Sequence, residues 1–260
     1  MNKKVFNLFD TGSWKKNIRY LVDSHISEKI IENLKENPPE FVDSYELDWL
    51  DDVVSLETGE ESNIRDLFAG LLVSEYSHIK AFHATRTEST NSFYERGLIP
   101  PVHEDIEIKA RQIFNNKDFP EISDDKLNKA IEDSRQYEGG KVYFQLNKDF
   151  LINPDHGADH YLKYGSEHLQ SIAANLSNYS TCYKDKLSNI GEPVIFECDI
   201  PLGIIDFEYI KALSGVVLSE IFYEILDECS EKDLILEDRD FSLAITQTLP
   251  PSHIVGHQEI

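Results

Sequence analysis

With 260 residues and a hydrophobic share of 40%, the chain can bury a core; its 48 acidic side chains against 25 basic ones give a formal net charge of −23. That surface repels phosphate backbones and argues against charge-driven binding to duplex DNA or RNA, leaving a basic partner or plain solubility as its use. No apolar run approaches the roughly 18 to 20 residues of a membrane span, and Cys182, Cys198 and Cys229 stand far apart with no paired spacing, so neither a membrane segment, a disulfide framework nor a zinc site is expected.

The opening MNKKVFNLFDTGSWKK lacks the unbroken apolar stretch of a leader peptide, and together with the cysteine usage this predicts a cytoplasmic protein. Trp14 to about Glu36 is predicted as one amphipathic helix, with Ile18, Leu21, Val22, Ile26, Ile30, Ile31 and Leu34 on its apolar side and Pro38 and Pro39 ending it. Two more helices are expected, from Ser44 to Leu56 and from Ile64 to Val73, so residues 1–75 form a helical N-terminal region and residues 76–260 a second domain.

From Ile79 the texture changes: IKAFHAT is short, apolar and strand-like. A helix capped by Ser89 or Thr90 and stopped at Gly97 follows. Charged helices over Glu104–Asn115 and Asp124–Gln136 look like a surface insertion. KVYFQL after Gly139 and Gly140 is a second strand, and Asp159–Leu176 is predicted as a helix with Leu162, Leu169, Ile172, Ala173 and Leu176 along one stripe. PVIFECDIP and FSLAITQTLP are the last expected strands, bracketing a helix from Phe207 to about Leu226. The acidic run EILDECSEKDLILEDRD is too interleaved with Ile and Leu to be a free tail.

Chemistry gathers at FHATR, where His83 ends a buried strand beside Thr85 and Arg86, a placement that asks for a polar partner. FHATR, the Gly-Leu of SFYERGLIPP, the strand EGGKVYF and the tyrosines Tyr161 and Tyr164 follow one another as in the ADP-ribosyltransferase superfamily. The resemblance is to its His-Tyr-Glu branch, which includes poly-ADP-ribose polymerases, diphtheria-type toxins and ADP-ribosylating toxins of toxin-antitoxin pairs, and it spans about residues 79 to 256. It implies an α+β domain of two small packed β-sheets with flanking helices, with NAD as substrate. It further implies transfer of ADP-ribose to a protein or hydrolysis of NAD, as by a bacterial or phage effector with an antitoxin-like partner.

Carried over by position, the resemblance gives His83 a ribose hydroxyl, the backbone of Ala84 the nicotinamide carboxamide, with Thr85 beside it, and Arg86 the pyrophosphate. Ala84 stands where the family has glycine, which tightens the approach to the backbone. Tyr143 would pack near the nicotinamide and Tyr161 or Tyr164 would stack on it; Tyr164 is preferred because Gly165 follows it. The family's late-strand glutamate has no counterpart, since FSLAITQ offers only Ser242, Thr246 and Gln247. Glu167 in YGSEHL or Asp240, the nearest of the upstream acids Glu237, Asp238 and Asp240, is the substitute carboxylate, with Glu167 favoured. Two alternatives stay open: a catalytically degenerate domain that works through a partner, and a metal-dependent hydrolase built on Asp155, His156, Asp159 and His160, whose histidines are four residues apart but separated by the helix-breaking Gly157.

Overall fold

The computed structural model describes residues 3–115, 119, 121–135, 139–177, 182–226 and 240–260. Within them the chain is a mixed α/β protein that divides into two compact units, residues 1–80 with 200–241, and residues 81–199 with 242–260. Cys229, Glu237, Asp238 and the expected helix end at Gln136 lie outside the described residues. No described helix is long and apolar enough to cross a membrane.

The first unit is helical. Helices α1 (Thr11–His25), α2 (Glu28–Glu36), α3 (Asp48–Thr58) and α4 (Ile64–Glu75) precede a long return helix that is numbered α12 by chain order (Phe207–Leu226). The single helix expected from Trp14 to Glu36 is two. Ile26 turns to extended backbone, and Ser27 caps a new helix by accepting from the Ile30 amide. A local hydrogen bond of this kind outcompetes continuation of the apolar stripe, whose two halves both still bury their faces at Trp14, Ile18, Val22, Ile30 and Leu34. Helix α12 is buried on almost every side, which explains why its sequence is apolar all round rather than striped. Its Gly215 lets Ser44 approach closely, for a Cβ there would lie 2.1 Å from the Ser44 carbonyl oxygen. A short strand, β1 (Val5–Phe6), which the sequence does not announce, pairs in parallel with the start of β2 (His78–Thr87).

In the second unit, β2 continues between β3 (Val142–Gln145) and β4 (Glu192–Pro201), and the sheet order is β5-β3-β2-β4-β6, with β5 at Ser242–Ile245 and β6 at Ile254–Glu259. The strands therefore hydrogen-bond into one sheet where two are expected. The join between β2 and β3 is the pair Phe82 and Gln145, whereas β3 and β5 match along four residues and β4 and β6 along five. Short helices α5 (Asn91–Arg96), α8 (Asp149–Ile152), α9 (His160–Tyr164) and α11 (Lys184–Leu187) accompany α6 (His103–Phe114), α7 (Asp124–Asp133) and α10 (Glu167–Leu176).

The expected helix from Asp159 to Leu176 is α9 and α10, broken at Gly165, whose φ of 83° is the left-handed region that glycine tolerates. Ser166 then caps α10 by accepting from the Leu169 amide. Helices α6 and α7 are not a peripheral insertion. Their Ile106, Ala110, Phe114, Leu127, Ala130 and Ile131 share a core with Leu169, Ile172, Ala173, Leu176 and Tyr183.

Candidate functional site

Strand β2 has two faces. On one, Phe82 and Ala84 pack into a small core with Leu151, Leu162 and Ile195. On the other, His83 and Thr85 line a cavity of about 460 Å³. The alternation of strand side chains thus separates neighbours in FHATR into packing and lining residues. Ala84 packs its methyl into that small core and is not among the residues that line the cavity.

The cavity is walled by β2, β3, the segment after α5, helix α6, and the join of α9 to α10. Phe93, Leu98, Ile99, Pro101, Ile106, Val142 and Leu169 give apolar surface, and Tyr143 and Tyr161 give aromatic surface. Its polar groups are His83, Thr85, Asp105, Lys109, Lys141, Ser166, Glu167 and His168. In a chain of net charge −23, two lysines facing two carboxylates make this a locally balanced site.

His83 Nδ1 lies 2.9 Å from the Tyr143 carbonyl oxygen. A carbonyl only accepts, so Nδ1 carries the proton, and burial holds the ring's pKa below its ordinary value. The neutral ring is left with Nε2 as an acceptor for a ligand hydroxyl.

Glu167 is the first residue of α10, where the helix dipole favours an anion. Its Oε1 accepts from the Tyr161 hydroxyl at 2.8 Å and lies 3.2 Å from His160 Nε2. His160 Nδ1 in turn sits 2.7 Å from the Gly157 carbonyl. Both ring nitrogens of His160 face oxygen acceptors, an arrangement that favours the imidazolium; the hydrogen bond to Glu167 raises its pKa and reciprocally lowers that of Glu167. Burial, with the adjoining carboxylate, pushes the Tyr161 phenol well up, so it stays a donor.

Three residues expected in the site are placed elsewhere. Tyr164 packs against the helical core with Lys184 Nζ 5.2 Å from its ring centroid, so Tyr161 is the tyrosine of the cavity. The two stand three residues apart on α9, which ends at Gly165. Arg86 spends its guanidinium on the carbonyls of Ile190, Leu162 and Gly191 at 3.0, 2.8 and 2.6 Å, holding two loops rather than facing the cavity. Asp240 is exposed, belongs to the first unit, and is not a lining residue.

The aspartate and histidine cluster is also dispersed: His156 stacks on Phe150 at 4.1 Å, Asp159 pairs with Lys163, and His160 serves Glu167. Among the described residues no three His, Cys, Asp or Glu side chains are grouped to hold a metal ion. The cause is Gly157 in a left-handed turn, which prevents His156 and His160 from sharing a helix face.

Residues that sequence reasoning passes over are Lys109 and Asp105 on α6, Lys141 on the approach to β3, and His168. His168 is 7% exposed, its Nδ1 is buried without a hydrogen-bond partner among the described residues, and its ring meets that of His103 at 5.4 Å. Its signal was adjacency to Glu167; α6 carries none beyond amphipathicity. No protein-family model, curated protein or solved structure matches the chain.

Proposed function

We propose that the protein binds NAD in this cavity and cleaves the bond between nicotinamide and ribose, passing ADP-ribose to a protein acceptor or to water. The observation that carries the reading is the convergence of His83, Tyr143, Tyr161 and Glu167, from four different elements or turns, on one cavity. An ADP-ribosyltransferase-like split is favoured by the single join between β2 and β3, from which two leaves of sheet, β5-β3 and β2-β4-β6, extend.

In this reading His83 Nε2 accepts from a ribose hydroxyl, and the rings of Tyr143 and Tyr161 hold the nicotinamide. The glycosidic bond breaks with its electron pair leaving on nicotinamide, and the carboxylate of Glu167 faces the cationic ribose that results. The acceptor oxygen then bonds to that carbon and gives up its proton to solvent. His160 keeps Glu167 ionised and in place, a positioning role.

Nicotinamide release from NAD by the full chain tests this. Glu167→Gln keeps the shape and removes the charge, and is expected to lower kcat by about a hundredfold to a thousandfold, the range seen for removing one group that stabilises transition-state charge; His83→Ala is expected to raise KM as well. No release by the wild-type chain, with NAD still bound, favours the second reading, a non-catalytic nucleotide-binding module that acts through a partner. That reading has its own observation: on β5 the residue opposite Tyr143 is Ala244, and the strand Ser242–Ile245 holds no carboxylate.

A further inference from the structure

A second cavity of about 810 Å³ adjoins the first and shares Thr85, Phe93 and Lys109 with it. Beyond those three it is lined by hydroxyls and amides, Ser89, Ser92, Gln112 and Asn189 among them, by the cations Arg86 and Lys186, by the carboxylate of Glu88, and by the ring of Phe119. A ligand occupying both cavities must pass Lys109 at the waist.

We infer that the two cavities form one cleft for a bipartite ligand with an anionic linker, and that Lys109 on α6 binds the diphosphate of a dinucleotide whose second nucleoside lies between Phe93 and Phe119. This rests on the NAD reading of the first cavity and adds to it the residue that holds the phosphates and the place of the far half. Arg86, another cation of the second cavity, gives three of its donors to backbone carbonyls and Lys186 lines the second cavity alone, so among the described residues Lys109 is the cation that lines both cavities. The second cavity has what a nucleoside needs: aromatic faces for a base, and amide and hydroxyl groups for its edge and its ribose.

Calorimetric titration of the full chain with NAD, ADP-ribose and nicotinamide riboside tests the assignment. For Lys109→Ala, NAD and ADP-ribose are expected to bind about tenfold more weakly, the order of one charge-assisted hydrogen bond, while nicotinamide riboside, which has no phosphate, binds as to wild type. Lys109→Arg is expected to restore most of the affinity. Ser92→Phe, which fills the second cavity from α5, is expected to abolish ADP-ribose binding and spare nicotinamide riboside. Unchanged NAD affinity in both Lys109→Ala and Ser92→Phe overturns the inference while leaving the NAD reading standing. Failure of the wild-type chain to bind NAD and nicotinamide riboside removes both.

Discussion

Arg86→Ala separates a structural guanidinium from a ligand-binding one. Three donors of Arg86 meet three carbonyls on two different segments, at Leu162 and at Ile190–Gly191. In the alanine variant the half-buried carbonyls of Ile190 and Gly191 recover part of their loss from water, while that of the buried Leu162 does so less. At about 1 kcal/mol for each bond, set below the range for a charged donor because water returns to two of the three carbonyls, the loss is about 3 kcal/mol. For a protein of this size that lowers the melting temperature by about 6 to 12 °C. Scanning calorimetry at neutral pH reads it directly. Arg86→Lys, with a compact head that cannot span the fork, is expected to recover no more than about a third of the shift. A melting temperature within about 2 °C of wild type for Arg86→Ala would refute the reasoning, because it would mean that the carbonyls hold their positions without the guanidinium.

At Gly97, with φ at 83°, a Cβ would lie 2.1 Å from the Leu249 carbonyl oxygen beside the Leu98–Leu249 bridge. Gly97→Ala is therefore expected to cost about 3 kcal/mol or more in urea denaturation, and a loss below about 1 kcal/mol would show that the two segments do not approach so closely. The His160–Glu167 pair predicts a pH window. His160, raised above 6.5, contributes stability that is complete below 6.5 and is lost as pH rises through its folded value; Glu167, lowered below 4.5, contributes stability that is complete above 4.5 and is lost as pH falls through its folded value. Their overlap runs from about pH 4.5 to 6.5. Because the Glu167 side chain is 46% exposed, screening limits the pair to about 0.5 to 1 kcal/mol. The gap in melting temperature between wild type and Glu167→Gln should be largest inside that window and shrink above it, and a gap independent of pH would count against the imidazolium.

Elements with a period and a stop were legible in the sequence. Helix α12, the strands β2, β3 and β4, and the turn at Gly97 fall where apolar patterning and glycine put them. The breaks at Ser27 and Ser166 were not, because a serine inside an amphipathic stripe costs little in pattern while its hydroxyl offers the chain a new start. Strands β1 and β6 were missed for different reasons. Val5–Phe6 is too short to show alternation, and IVGHQE is exposed along most of its length, so burial imposes no apolar period on it. In the site, His83, Thr85, Tyr143 and Glu167 were found because they sit in or beside short motifs. Lys109 was beyond reach, since its position depends on how a charged helix packs against α10, and no local pattern records that.

The carboxylate is where chain order and geometry part company. A strand position opposite Tyr143 would bring an acid in along the sheet, but β5 offers Ala244 there. Glu167 comes instead from a helix start, and what makes it usable is the way it is held. Both its bonds, from Tyr161 and from His160, fall on Oε1, so among the described residues Oε2 is left for a ligand. A carboxylate anchored through one oxygen and open at the other needs little reorganisation when positive charge develops nearby. The same anchoring ties it to α9 across the break at Gly165 that separates α9 from α10. Tyr161 and Glu167 thus meet from the two sides of one backbone turn, so the tyrosine and the carboxylate of this cavity depend on it together.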